Sequence, residues 1–126
     1  MSVSQELAGF IKGTFRSIWS LELLLLLKTQ PERRWSKSEM VSSLRGSESV
    51  VSQSVGSLVA AGLVTVEEDE GDPRYFYQPA SDDTRRLAEA TQRLYAKRPD
   101  AVRRLIVMSA NEGITAFADA FRLRKD

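Results

Sequence analysis

The sequence of 126 residues contains neither cysteine nor histidine. Disulfides, thiolate or imidazole metal sites, cysteine nucleophiles and Ser-His-Asp catalysis are therefore excluded. The sequence also has no glycine-rich phosphate-binding loop, and no spacing of its carboxylates suggests a metal site. We therefore expect a protein that is not an enzyme, with no catalytic residue, no bound metal and no cofactor.

Long apolar runs are also missing. The longest, Leu23 to Leu27, is far below the roughly 20 apolar residues that span a bilayer. The first residues do not combine a basic region with an apolar core, so no signal peptide is predicted. We expect a cytoplasmic protein without a membrane partner, in which this run belongs to a buried central helix.

The distribution of charge is more informative than the net charge of +1. Residues 17–80 carry six basic and nine acidic side chains, a net charge of −3. Residues 81–126 carry ten basic and seven acidic side chains, a net charge of +3. A DNA-binding domain usually carries the positive charge itself, so this distribution counts against DNA binding by residues 17–80.

Helical periodicity predicts an N-terminal helix within residues 4–15 and a central helix after Ser17, which Pro31 ends. Trp19 and Trp35 flank the central helix and are expected to pack in the core or at its boundary. The N-terminal helix has one apolar face, made of Leu7, Phe10, Ile11 and Phe15.

A short helix and a tight turn are predicted next. Ser36 and Glu39 have the spacing of a capping box, which opens a helix that ends at Leu44. Gly46 is expected to supply the positive φ that a corner between two helices needs.

A longer helix at about residues 48–61 should follow, with Gly62 ending it. Alternation of side chains then predicts a β-hairpin over residues 63–78. Its loop, residues 67–73, contains five acidic side chains.

These residues carry a resemblance to a known family. The chain resembles winged helix-turn-helix transcriptional regulators of the MarR and PadR type over about a third of its length. The matching segments are Leu44-Arg45-Gly46-Ser47, Val51-Ser52-Gln53, Leu58 to Val64 and Arg74 to Tyr77. The resemblance implies a mainly α fold with a small β-hairpin: a winged helix-turn-helix with N- and C-terminal helices on either side.

The resemblance also implies a function. The chain would be a bacterial-type, sequence-specific DNA-binding transcriptional regulator. Helix 48–61 would lie in the major groove of double-stranded DNA, and the wing, residues 63–78, would contact the backbone. Serines and a glutamine would contact bases, and basic side chains would contact phosphates. The expected DNA-binding residues are Lys37, Arg45, Ser47, Ser49, Ser52, Gln53, Ser57 and Arg74.

The sequence departs from the family pattern in two places. Gln53 stands where an arginine or lysine is usual, and the wing loop is acidic where it is usually basic. For Ser52 and Gln53 the alternative is a plain solvated helix face, and for Arg74 it is a surface ion pair. An acidic wing also fits a basic protein partner, so the alternative function is a winged-helix protein–protein interaction module that does not bind DNA strongly.

We predict three regions: an N-terminal helix at 1–16, the winged helix-turn-helix at 17–80 and a helical region at 81–126. The two outer regions carry apolar stripes that the winged domain does not need for its own core, so they are expected to form a homodimer. The alternative is that the terminal helices pack on each other within one chain. The predicted interface consists of Leu7, Phe10, Ile11, Phe15, Ile114, Phe117 and Phe121.

Overall fold

A computed structural model of the chain describes residues 4–108, apart from the side chain of Asp69. The mainly helical fold with one small hairpin is confirmed. In chain order its elements are α1 (Gln5–Thr14), α2 (Ile18–Thr29), α3 (Lys37–Leu44), α4 (Glu48–Ala60), β1 (Val64–Asp69), β2 (Asp72–Tyr77) and α5 (Asp82–Lys97). A sixth helix, α6, occupies residues 99–108.

The first helix packs within its own chain. Ser4 caps α1 by accepting a hydrogen bond from the backbone N–H of Leu7 at 3.1 Å. Ile11 and Phe15 are fully buried in the core, whereas Leu7 and Phe10 pack against it and stay half-buried. The predicted interface therefore needs correcting at Ile11 and Phe15, which have no surface left for a second chain. Three further interface residues, Ile114, Phe117 and Phe121, lie outside the described residues.

The second helix is the centre of the fold. Ser17 and Ser20 form a reciprocal capping box at its start, and the helix ends before Pro31 as predicted. It packs against α4, α3 and the hairpin. Burial of its leucines accounts for much of the core, because apolar area removed from water is the main stabilising term. The leucines that are fully buried are Leu21, Leu23, Leu24 and Leu27.

The helix-turn-helix forms where the sequence predicts it, but its turn differs in detail. The capping box of Ser36 and Glu39 is present at the start of α3. Arg45, not Gly46, adopts the left-handed conformation, with φ of 58°. Gly46 is favoured there because a Cβ atom would lie 3.3 Å from Cζ3 of Trp19. Close packing of the turn on the Trp19 ring, rather than a positive φ, explains this glycine.

Gly62 ends α4 as predicted. Its φ is 77°, and the N–H groups of Gly62 and Leu63 bond to the carbonyls of Val59 and Leu58 at 3.1 and 3.0 Å. This is the Schellman arrangement, which satisfies carbonyls left unpaired at the end of the helix. It also turns the chain directly into β1.

We predict that Gly62→Ala lowers the free energy of unfolding by about 1–2 kcal/mol, because an L-residue is strained in the left-handed region. The added Cβ would also lie 3.3 Å from the Cβ of Ala80. Chemical denaturation followed by circular dichroism measures this change.

The matched control is Gly56→Ala, within the exposed side of α4, where an added Cβ meets nothing within 4 Å. That variant should gain about 0.5–1 kcal/mol, because alanine favours a helix interior over glycine. Equal effects of the two substitutions would contradict the account of Gly62.

The wing lies where the sequence predicts it, but its strands are longer and its turn is tighter. The two strands pair from Val64 opposite Tyr77 to Asp69 opposite Asp72. Residues 70 and 71 alone form the turn, both with positive φ, as in a two-residue type I′ hairpin. Most of the predicted acidic loop is therefore part of the strands.

Trp35, between α2 and α3, is bonded to the wing through its backbone. Trp35 exchanges two backbone hydrogen bonds of 2.8 Å with Tyr75 in β2, and its side chain is only 1% exposed. Trp19, in contrast, is 41% exposed and lies at the boundary of the core.

The last helices pack on the N-terminal half. Tyr95 in α5 donates a hydrogen bond of 2.8 Å to Glu22 in α2, and Arg86 in α5 forms an ion pair of 3.0 Å with Glu6 in α1. Val102 and Ile106 of α6 are buried. Within residues 4–108, no helix combines the length and apolar character needed to cross a membrane.

Candidate nucleic-acid interface

The side of α4 opposite its buried residues is polar and uncharged. Gln53 and Ser49 are exposed, and Ser52 and Ser57 are half-buried. Val51, Val55 and Leu58 are buried on the opposite side, and their spacing fixes the orientation of the helix. Ser54, which the sequence analysis did not assign to the core, is buried with them. This side thus presents groups that can donate and accept hydrogen bonds but carry no charge, whereas the charged residue of α4, Glu48, lines the wing side of the helix.

Several of the predicted serines already have partners. Ser47 is the N-cap of α4: its Oγ accepts from the N–H of Val50 at 3.2 Å and lies 3.3 Å from the Oγ of Ser49. The Ser57 hydroxyl donates to the Ser54 carbonyl at 2.9 Å. Ser52 and Gln53 form no hydrogen bond among the described residues. Their side chains are the ones most available to an external partner.

The predicted phosphate contact Arg74 is engaged inside the chain. Its guanidinium lies 3.4 Å from Glu39 and 3.2 Å from Asp72. The surface ion pair that the sequence left open as an alternative is thus present. Such pairs contribute little stability at exposed sites, but they reduce the positive charge that a phosphate would meet.

Glu39 is the centre of this arrangement. Its Oε1 accepts the Ser36 N–H at 2.8 Å, and its Oε2 accepts from Arg33 at 3.0 Å. The backbone N–H of Ser36, followed by the Arg33 guanidinium, lowers the pKa of the Glu39 carboxyl. One carboxylate therefore closes the capping box of α3 and holds two arginines, Arg33 and Arg74.

Two arginines before α3 lie over aromatic rings. The Arg33 guanidinium is 3.6 Å from the ring centre of Trp35, and that of Arg34 is 3.8 Å from the ring centre of Phe76. Arg34 also lies 3.8 Å from Glu67 of the wing. Cation–π contacts of this kind hold the guanidinium groups against the protein.

Two of the predicted phosphate contacts have no such partner. Lys37 is the first residue of α3, and Arg45 is exposed at the turn. Neither forms an ion pair with any described residue. Both are therefore available to an anion, in contrast to Arg74.

One basic residue was missed by the sequence analysis. Arg16 is exposed, lies between α1 and α2, and forms no ion pair within residues 4–108. It borders a groove of about 300 Å³ between the start of α2 and α4. The only signal in the sequence was its position directly before the N-cap Ser17. The other lining residues are Ser17, Trp19, Ser20, Val50, Gln53, Ser54 and Ser57.

A second groove lies on the wing side, with a volume of about 590 Å³. Two cations, Lys37 and Arg74, face two carboxylates there, Glu48 and Asp72. The remaining lining residues are Ser36, Ser38, Val41 and Ser42. The first groove contains one cation and no carboxylate, so the two grooves differ in electrostatic character.

The wing itself is acidic on its surface. Glu67, Glu68, Glu70 and Asp72 are all exposed. Arg34 and Arg74 offset part of this charge. Among the described residues, no group of three acidic side chains is arranged to hold a metal ion.

Comparison with known proteins identifies the fold through structure alone. No protein-family model matches the chain, and no curated protein sequence does. Sco5413, a MarR family transcriptional regulator from Streptomyces coelicolor, superposes with a TM-score of 0.57 at 24% identity, covering 94% of this chain and 80% of that one.

Two further structures are similar. The winged helix-turn-helix DNA-binding domain of Mb0332 from Mycobacterium bovis, a homodimer described as a possible ArsR-family regulator, gives a TM-score of 0.56 at 15% identity over 78% of this chain and 92% of that one. The adhesin competence repressor AdcR from Streptococcus pyogenes gives 0.50 at 15% identity over 82% and 78%. The predicted winged helix-turn-helix fold is confirmed.

Proposed function

We propose that this chain is a sequence-specific DNA-binding transcriptional regulator, with α4 as its recognition helix. The observation that carries this proposal is the exposed, uncharged polar face of α4, on which Gln53 has no partner within the described part of the chain. A helix held at this position by a helix-turn-helix can enter the major groove, where amide and hydroxyl groups read base edges. We infer no enzymatic activity and place the protein in the cytoplasm.

The structural neighbours support a regulatory role. Sco5413 is named a transcriptional regulator, AdcR a repressor and the Mb0332 domain a DNA-binding domain. In this chain, Ser49, Ser52 and Gln53 would contact bases, and Ser47 and Ser57 would lie at the two ends of that contact. Lys37 and Arg45 would contact phosphates, with Arg74 only after its ion pairs open.

We also propose a homodimer. The Mb0332 domain is homodimeric, and half of the predicted N-terminal stripe, Leu7 and Phe10, is incompletely buried in one chain. Val107 and Met108, at the last described turn of α6, are exposed. A two-fold pair would bury such surface and set two recognition helices about one DNA turn apart.

The test of the function is binding to duplex DNA. Fluorescence anisotropy with a random duplex at about 50 mM salt measures non-specific binding, and selection from a random duplex library identifies a preferred site. We expect one enriched sequence with two-fold symmetry. No enrichment, together with no binding at low salt, would contradict the proposal.

The exposed acidic wing favours a second candidate function, a module that binds a basic protein partner. Like charge on the wing would repel phosphates, whereas opposite charge on a protein would attract. A double variant, Glu68→Gln with Glu70→Gln, distinguishes the two candidate functions. The double variant should bind duplex DNA more tightly if DNA is the partner, and should lose a protein complex if the wing is the contact.

We predict that Glu39→Gln increases affinity for random duplex DNA by about tenfold at low salt. The slope of log K against log salt should become steeper by about one to two, which corresponds to one or two added phosphate contacts. The substitution removes the charge that holds Arg33 and Arg74. Glutamine still fits the capping box, so α3 keeps its start. Anisotropy titrations at several salt concentrations measure both quantities.

The control is Glu67→Gln, which removes the partner of Arg34 alone and should have a smaller effect. Measurements belong near pH 7, because Glu39 has a folded-state pKa below its ordinary value of 4.5 and is fully ionised there. Its contribution to stability is complete above about pH 4.5 and is lost as the pH falls through the lower folded value. Unchanged affinity and salt dependence in Glu39→Gln would show that the two arginines do not contact phosphates.

A further inference from the structure

We infer that the sugar–phosphate backbone of duplex DNA runs through the groove between the start of α2 and α4, where Arg16 contacts a phosphate. This inference rests on the proposed function and specifies where the backbone is bound. It moves the main backbone contact from the wing to the opposite side of the recognition helix. The groove is named here the Arg16 groove, with the lining residues given above.

The first argument is continuity with the recognition surface. Gln53 and Ser57 belong both to the exposed side of α4 and to the wall of the Arg16 groove. A duplex whose major groove receives α4 must place a phosphate strand on each side of that helix. The Arg16 groove is directly beside the base-reading side chains, so one of these strands would meet it.

The second argument is electrostatic. The Arg16 groove holds one cation and no carboxylate, and Arg16 has no ion pair among the described residues. The wing-side groove holds Glu48 and Asp72 as well as its cations, and Arg74 there is already paired. A phosphate strand therefore meets an uncompensated positive charge in the Arg16 groove, whereas in the wing-side groove it meets two cations offset by two carboxylates. Phosphate contacts position a protein on DNA and supply much of its affinity.

The third argument concerns the other groups in the groove. Ser17 brings a half-buried hydroxyl into its wall, and Trp19 is 41% exposed beside it. Ser20 lines the wall from a buried position, where its hydroxyl donates to the Ser17 carbonyl. Hydroxyls and arginine are ordinary phosphate ligands, and a guanidinium can bind two phosphate oxygens at once. The aromatic ring provides an apolar surface on which a deoxyribose can rest. The lining of this groove thus suits a nucleic-acid backbone.

The experiment is a salt titration of DNA binding with the full chain. Arg16→Gln should weaken binding to a random duplex several-fold and reduce the slope of log K against log salt by about one. Arg16→Lys should restore most of the slope, because the charge returns. Stability should not change, since the Arg16 side chain has no ion pair to lose among the described residues.

The matched control is Arg34→Gln, an exposed arginine on the wing side that already pairs with Glu67. It removes the same charge but should leave the slope nearly unchanged. If the wild-type chain binds duplex DNA and Arg16→Gln keeps the wild-type slope, this inference is overturned while the proposed function stands. If the wild-type chain binds no duplex, the proposed function is overturned, and this inference with it.

Discussion

Replacing Trp35 with alanine is expected to lower the free energy of unfolding by about 3–5 kcal/mol, the usual cost of removing a large buried aromatic side chain. Trp35 is 1% exposed and belongs to the main core cluster. The Arg33 guanidinium lies 3.6 Å from its ring centre, so that contact would be lost as well. Denaturation followed by circular dichroism gives the change without depending on tryptophan fluorescence.

The loss should also reach the wing. Trp35 and Tyr75 exchange backbone hydrogen bonds, and the buried ring keeps this bridge away from water. We therefore expect faster amide hydrogen exchange at Tyr75 and along β2 in Trp35→Ala, because local opening no longer exposes a large apolar surface.

Trp35→Phe is the informative comparison. The indole N–H of Trp35 is buried without a hydrogen-bond partner among the described residues, so phenylalanine loses no such bond. The cost should be about 1 kcal/mol, since the exchange is between large apolar side chains. If Trp35→Ala lay within 1 kcal/mol of the wild type, Trp35 would not be the element that fastens the wing.

The parts of the fold that depend on neighbours in sequence were predictable. The capping box of Ser36 and Glu39 needs two residues three apart, and its hydrogen bonds form within one turn of helix. Gly62 is a similar case, because an end-of-helix glycine followed by Leu63 is a local pattern. Such signals are complete within a few residues, and the structure reproduces them.

The charge network was not predictable in the same way. The capping role of Glu39 is visible in the sequence, but Arg74 lies 35 residues further along the chain. Only the folding of the wing against α3 brings these two side chains together. The sequence therefore left both a phosphate contact and a surface ion pair open for Arg74, and the structure shows the ion pair, with Glu39 and Asp72.

Gly46 and Ile11 show two other limits. Glycine at a helical corner suggests a positive φ, but Arg45 adopts it and Gly46 makes room for Trp19. An apolar stripe at helical spacing shows that a face must be covered, but not by which chain. Ile11 and Phe15 are covered within their own chain, which periodicity alone does not specify.

The proposed base-reading role of α4 depends most on one side chain. Gln53 is exposed near the middle of the polar side of the helix and has no hydrogen-bond partner among the described residues. Its amide can donate and accept at once, which is the pairing that adenine offers in the major groove. Ser49 and Ser52 lie on the same side, one helical turn before it and directly beside it.

We predict that Gln53→Ala weakens binding to the selected operator by about 1–3 kcal/mol, the usual worth of a good bidentate base contact. Binding to random duplex should stay nearly unchanged, because the side chain is neutral and base contacts specify whereas phosphate contacts position. Gln92→Ala, at an exposed position of α5, is the matched control and should bind both duplexes like the wild type. Competition titrations with the operator and the random duplex at one salt concentration measure the difference. Equal losses on both duplexes would contradict base reading by Gln53. A loss on the operator alone would support it, and substituting each operator position in turn would then identify the base pair that Gln53 contacts.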